Sequence, residues 1–189
     1  MNHAVTELFG EYRVEIINDP CFNTESADNV QLYDNIYNDN SEYRPSSAHG
    51  ITVTKGEQKI ANAMILGHGG GTGIHENSFV IADDILLVCC GDSVYALKLP
   101  ELTVYWKNKF DWATCFAIYP FGDGFVIHGE LEITKIDIAG NIAWTFGGKD
   151  IFVNLERESF RFVDDKIEAT DWTGTAYLLN GNGEWTEVT

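Results

Sequence analysis

The chain has 189 residues, 44% hydrophobic and 13% aromatic, which is enough apolar content for a packed core and too much for a disordered polymer. Its formal net charge of −17 works against electrostatic contact with nucleic-acid phosphates or anionic membranes and favours a basic protein partner or a cation. The plainer alternative is that the acidity only keeps the protein soluble.

The first residues, Met1 to Glu7, have neither the basic nor the apolar region of a secretory signal, and no apolar run approaches the roughly 18 residues of a membrane span. Four cysteines, Cys21, Cys89, Cys90 and Cys115, fit no CxxC spacing. They read as reduced, buried thiols, and the expectation is a cytoplasmic protein.

Residues 1–78 are irregular. Glu11 to Ile17 alternates as a half-buried strand, and Ile51–Thr54 with Lys59–Leu66 reads as a hairpin turning at Lys55-Gly56-Glu57. Between them, residues 18–49 are rich in Asn, Asp and Ser. Val30, Tyr33, Ile36 and Tyr37 have helical spacing, which predicts a short helix.

Gly67 to Asn77 is the most unusual local stretch. His68-Gly69-Gly70-Gly71 matches the oxyanion-hole motif of esterases, but the chain has no GxSxG serine to go with it. No GK[ST] follows to make a phosphate loop, and position 79 is Phe where a zinc-protease motif begun by His75-Glu76 needs its second His. His68, His75 and Glu76 remain candidates for a metal or small-ligand site. The glycines otherwise allow close backbone approach by a neighbouring strand or a ligand.

From residue 79 a unit of about 40 residues recurs three times, over 79–110, 111–150 and 151–189. Each unit divides into four short strands. The first runs Phe79–Ala82, Ile85–Cys90, Val94–Leu99 and Thr103–Lys107; the second Ala113–Tyr119, Phe125–Gly129, Ile133–Asp137 and Ile142–Phe146; the third Phe160–Val163, Lys166–Thr170, Thr175–Leu179 and Glu184–Val188. Gly and Asn at Gly140-Asn141 and Gly181-Asn182-Gly183 supply the positive φ of tight hairpins. Trp106, Trp144 and Trp185 stand on the last strands as packing residues between units.

Val94-Tyr95-Ala96-Leu97 followed by Trp106, and Thr134-Lys135-Ile136-Asp137 followed by Gly140-Asn141 and Trp144, resemble the quinoprotein-type (PQQ-like) β-propeller repeat. The resemblance covers residues 79–189 and implies an all-β, propeller-like array of four-stranded antiparallel blades. It implies no cofactor, because most such repeats bind no quinone. The N-terminal strands are expected to add a blade or to cap the array, since three blades do not close a ring. The adjacent Cys89-Cys90 pair is similar to the vicinal disulfide of quinoprotein alcohol dehydrogenases. It lies mid-strand, however, where successive side chains point to opposite faces, and both residues read as structural.

Aligned, the repeats place Asp92, Glu130 with Glu132, and Asp171 in equivalent turns between second and third strands. In a blade array these turns share a face with the connections between blades. One end of the axis then gathers Asp92, Glu130, Asp171, Trp172, Asp111, Trp112, His68, His75 and Glu76. Converging carboxylates beside aromatic rings suit a basic peptide, an amine or a hard cation; the simpler alternative is that polar residues occupy turns. The chain is therefore expected to be a non-enzymatic binding module, in its most concrete form an acidic immunity- or antitoxin-like protein with a basic protein partner. The alternatives are a metal-dependent or small-ligand enzyme at His68, His75 and Glu76, and a carbohydrate-binding surface on Trp112 and Trp172.

Overall fold

The structure, a computed structural model, describes residues 4–38, 44–153 and 158–188. Among them it is all-β. The first sheet contains β1 (Ala4–Phe9), β2 (Tyr12–Asn18), β3 (Asn35–Tyr37), β4 (Ser47–Lys55) and β5 (Gln58–Gly67), in the order β1-β2-β4-β5-β3. All its pairings are antiparallel except β3 on β5, which is parallel.

Three four-stranded antiparallel meanders follow. The second sheet is β6 (Phe79–Ala82), β7 (Ile85–Cys90), β8 (Ser93–Lys98) and β9 (Thr103–Lys109). The third is β10 (Cys115–Phe121), β11 (Gly124–Gly129), β12 (Glu132–Ile136) and β13 (Ile142–Gly147), and the fourth is β14 (Phe160–Val163), β15 (Lys166–Thr170), β16 (Ala176–Leu179) and β17 (Trp185–Val188). Every strand expected in the repeats is present, with ends displaced by at most two residues.

The helix expected from Val30, Tyr33, Ile36 and Tyr37 does not form. Asn62 on β5 accepts the Asp34 N–H at 2.8 Å and donates to the Leu32 carbonyl at 2.8 Å, so the chain is clamped in extended form alongside β5. The four residues share no face: Val30 is 98% exposed, whereas Tyr33 packs on Ala48, Met64 and Leu66 and lies over Gly50. Residues 19–34 thereby cover the outer face of the first sheet.

The sheets pack face to face in chain order, and each interface has its own core. Val14, Ile16, Ile51, Val53 and Ile65 of the first sheet meet Leu86, Val88, Cys90, Tyr95 and Leu97 of the second. The opposite face of the second sheet, Ile85, Leu87, Cys89, Val94 and Ala96, meets Cys115, Ile118, Phe125, Ile127 and Ile136 of the third. Val126, Ile133 and Phe146 then meet Phe160, Ile167, Ala169, Tyr177 and Leu179 of the fourth. A strand buried on both faces reads as a continuous apolar run, which is why β7 is Ile-Leu-Leu-Val-Cys-Cys. The result is a propeller-like array of four sheets.

Cys89 and Cys90 point to opposite faces, as strand alternation requires, and both are buried free thiols. Cys21 differs from expectation. It lies in the covering segment and is exposed.

Aromatic side chains on outer strands tie each sheet to the next. Tyr37 donates its hydroxyl to the Leu102 carbonyl at 2.9 Å, Trp106 its indole N–H to Ile138 at 3.0 Å, and Trp144 its indole N–H to Gly181 at 3.0 Å. Trp185 breaks the series. In the second and third sheets a register shift, between Ala96 and Leu97 and between Lys135 and Ile136, turns the tryptophan toward the following sheet. The fourth sheet has no such shift between β16 and β17. Trp185 pairs with the back-facing Leu179 and packs on Phe146 and Tyr177, 5.3 and 5.8 Å between centroids.

Candidate functional site

The connections between sheets stack against the turns between second and third strands, all at one end of the array. The Asp92 N–H donates to the His68 carbonyl at 2.7 Å, and the Gly70 N–H to Ala113 at 2.7 Å. One sheet further on, Glu130 donates its N–H to Thr114 at 2.8 Å and accepts from Phe152 at 2.7 Å, and Trp172 donates to Ile151 at 2.8 Å. These bonds place His68, Asp92, Asp111, Trp112, Glu130, Asp171 and Trp172 along one continuous end.

They also account for the glycine stretch. A Cβ on Gly70 would collide with the Thr114 hydroxyl, and one on Gly69 with the Ala113 carbonyl. The close approach that Gly69 and Gly70 permit is made by the Asp111–Thr114 corner.

Most of the candidate polar groups are occupied in holding this end together. Asp111 is buried: one carboxylate oxygen accepts the Ala113 and Thr114 N–H groups at 2.6 and 3.1 Å, the other the Leu131 and Glu132 N–H groups at 2.8 and 3.0 Å. Asp171 accepts from the Thr173 hydroxyl at 2.7 Å, the Thr175 N–H at 3.0 Å and the Tyr177 hydroxyl at 2.9 Å. Burial pushes its carboxyl up, but the hydrogen bonds from Thr173, Tyr177 and the turn N–H groups together outweigh that and hold it below the usual carboxylate range. Glu130 accepts from the Thr114 hydroxyl at 2.8 Å.

The expected His68, His75 and Glu76 constellation is not assembled. His68 Nε2 lies 3.1 Å from the Asn38 side-chain oxygen, whereas His75 Nε2 lies 3.1 Å from the Phe116 carbonyl. Glu76 borders a separate cleft with Glu7 and Leu8. Among the described residues no three His, Cys, Asp or Glu side chains are placed to hold a metal ion.

One groove remains open beside the Asp111 corner, with a volume of roughly 290 Å³, at the low edge of the ~300–1,000 Å³ typical of small-molecule pockets. It runs between the outer strands of the second and third sheets and is lined by Lys109, Phe110, Asp111, Trp112, Glu132, Thr134, Ile142 and Thr145. Trp112 is 76% exposed. Lys109 Nζ sits 4.4 Å from the centre of the Trp112 ring and 2.9 Å from an Asp92 carboxylate oxygen. Glu132 lies half-buried; burial first, and the Asp111 charge second, raise its carboxyl above the ordinary value.

Of these groove residues only Asp111 and Trp112 are site candidates in the sequence. Glu132 is visible there as a turn residue, but its place in a groove depends on Ile142 and Thr145, which β12–β13 pairing brings alongside. The sequence shows only an apolar Ile142 two positions before Trp144; its 57% exposure, which marks the groove, is visible in the structure alone.

No family model matches this chain, and no curated protein matches it. Solved structures do. All of the chain aligns with 54% of the AfRom2 CNH domain at 10% identity and a TM-score of 0.52. In the same way, 97% of it aligns with 60% of the computationally designed Ika8 protein at 9% identity and a TM-score of 0.53. The chain thus spans little more than half the length of these structures, and at such identities the likeness is one of fold alone.

Proposed function

We propose that this chain is a non-enzymatic binding module, and that it engages a basic protein through the end where its inter-sheet connections gather. The observation that carries this reading is the division of labour at that end. The histidines and most of the carboxylates that could have served catalysis are spent on the scaffold, while Trp112 and the groove beside it stand open. The net charge of −17 supplies long-range attraction for a basic partner, which speeds encounter and makes it salt-sensitive.

An immunity- or antitoxin-like protein in the cytoplasm, neutralising a basic toxin domain, is the concrete version. The likeness of its repeats to quinoprotein-type propeller blades belongs to the same proposal. It is supported by the four-strand pattern and the outer-strand tryptophans, and it brings no cofactor with it.

Affinity capture from the native lysate, repeated across a salt series and with Trp112→Ala, tests the reading. The expected result is a basic protein retained at low salt, released as salt rises, and lost with the variant. Retention that ignores both salt and Trp112, or the absence of any basic protein, would sink it. A carbohydrate surface is the second reading, favoured by the 51% exposure of Trp172. Glycan-array binding abolished by Trp172→Ala would carry it, and a silent array would remove it.

A further inference from the structure

Resting on that reading, we propose that the groove between β9 and β13 is the anchor pocket for one arginine side chain of the partner, whose guanidinium pairs with Glu132 and stacks on Trp112. Four observations converge on it. First, the groove is sized for a side chain rather than a cofactor, at roughly 290 Å³. Second, its walls are mixed in the way an arginine needs: Phe110 and Ile142 offer apolar surface to a methylene stem, and Thr145 and Glu132 offer oxygen acceptors to the head.

Third, the Trp112 ring already accepts a cation. Lys109 lies 4.4 Å from its centre and is paired with Asp92 at 2.9 Å, so its charge is already matched by that carboxylate. Fourth, the carboxylates around the groove are unequal. Asp92 is matched by Lys109, and Asp111 by four backbone N–H groups, whereas the Glu132 carboxylate receives no hydrogen bond or ion pair among the described residues. A half-buried carboxylate with no counter-charge is stabilised by an incoming cation, and its two oxygens match the guanidinium fork.

The probe is acetyl-Gly-Arg-Gly-amide, with the isosteric but neutral citrulline peptide as its match, titrated into nitrogen-15-labelled protein. The expected result is saturable shifts of the Trp112 indole and Thr145 signals with the arginine peptide, and affinity lowered about tenfold in Glu132→Gln, as loss of one partner of a half-buried charge pair implies. Backbone spectra of Glu132→Gln that overlay those of the parent establish that it folds. Equal binding of the citrulline peptide, or no shift in the groove at millimolar arginine peptide, overturns the anchor. If the captured basic partner is retained undiminished by Glu132→Gln, the anchor fails while the basic-partner reading stands. If the parent protein captures no basic partner, it is the broader reading that fails.

Discussion

Trp144 closes over Gly183: a Cβ on that glycine would sit 2.6 Å from the indole Cγ. The same relationship holds one sheet earlier, where a Cβ on Gly140 would sit 2.9 Å from Trp106 Cε2. Each tryptophan therefore needs a glycine in the hairpin of the following sheet, and that hairpin turn carries the carbonyl its indole N–H reaches. The Gly-turn and the Trp of the repeat are two halves of one contact made between successive units.

Gly183→Ala and Gly140→Ala are accordingly expected to destabilise the protein by about 2 kcal/mol or more, since a Cβ meets both the indole and a positive φ, +79° and +80°. Gly181→Ala is the internal control, having no atom within 4 Å of the added carbon, and should be close to neutral. Urea denaturation of the three variants checks this; equal effects at Gly181 and Gly183 would refute the contact.

Asp111 accepts four backbone N–H groups, drawn from two loops about twenty residues apart in the chain. Asp111→Asn keeps the shape but points an amide N–H₂ at donors, so a loss of roughly 3 kcal/mol is expected. Glu130→Gln, the corresponding amide exchange at a carboxylate held by one hydroxyl, should cost under about 1 kcal/mol. Thermal melts that rank the two in the opposite order would count against the scaffold role of Asp111.

Two buried histidines make stability depend on pH. His49, whose ring nitrogens meet no hydrogen-bond partner among the described residues, and His128, stacked on Phe160 at 4.8 Å, are both lowered by burial to about 4. Between pH 6.5 and about 4 the unfolded chain binds protons that the folded chain refuses. Stability is therefore full above 6.5 and falls as the pH drops through that window, by on the order of 3 kcal/mol per histidine. His128→Phe should flatten the profile by about half relative to the parent. Denaturation midpoints collected from pH 7 to pH 4 decide it, and an unchanged slope would be the contrary result.

Thiol labelling separates the cysteines. Cys89, Cys90 and Cys115 are buried, and burial raises all three thiols well above their ordinary value, whereas Cys21 is exposed. A thiol reagent at pH 8 should modify Cys21 alone in the native protein, and all four after unfolding. Rapid native labelling at Cys89 would count against the packing of the second sheet on the third, and at Cys90 against its packing on the first.

The strands of the repeats are legible in the sequence because their determinants are local. Apolar runs such as Ile85–Cys90 need both faces covered, and Gly140 or Gly183 marks a turn wherever it occurs. The spacing of Val30, Tyr33, Ile36 and Tyr37 misleads for the opposite reason. Their positions answer to Asn62, Gly50 and Leu102, distant in the chain, and tertiary contacts override a weak helical periodicity. Trp185 packs between units as expected, on Phe146 of the third sheet, but the direction it faces depends on a register shift, which a one-residue difference in strand pairing removes.

By itself, then, the sequence determined the all-β class, the number of repeated units and which turns fall at one end, since alternation and turn chemistry act over a few residues. Only the tertiary structure decided what the polar residues at that end do. A carboxylate such as Asp111 is silent or available according to donors about twenty positions away, and Glu132 lines a groove only once β13 has brought Ile142 and Thr145 beside it.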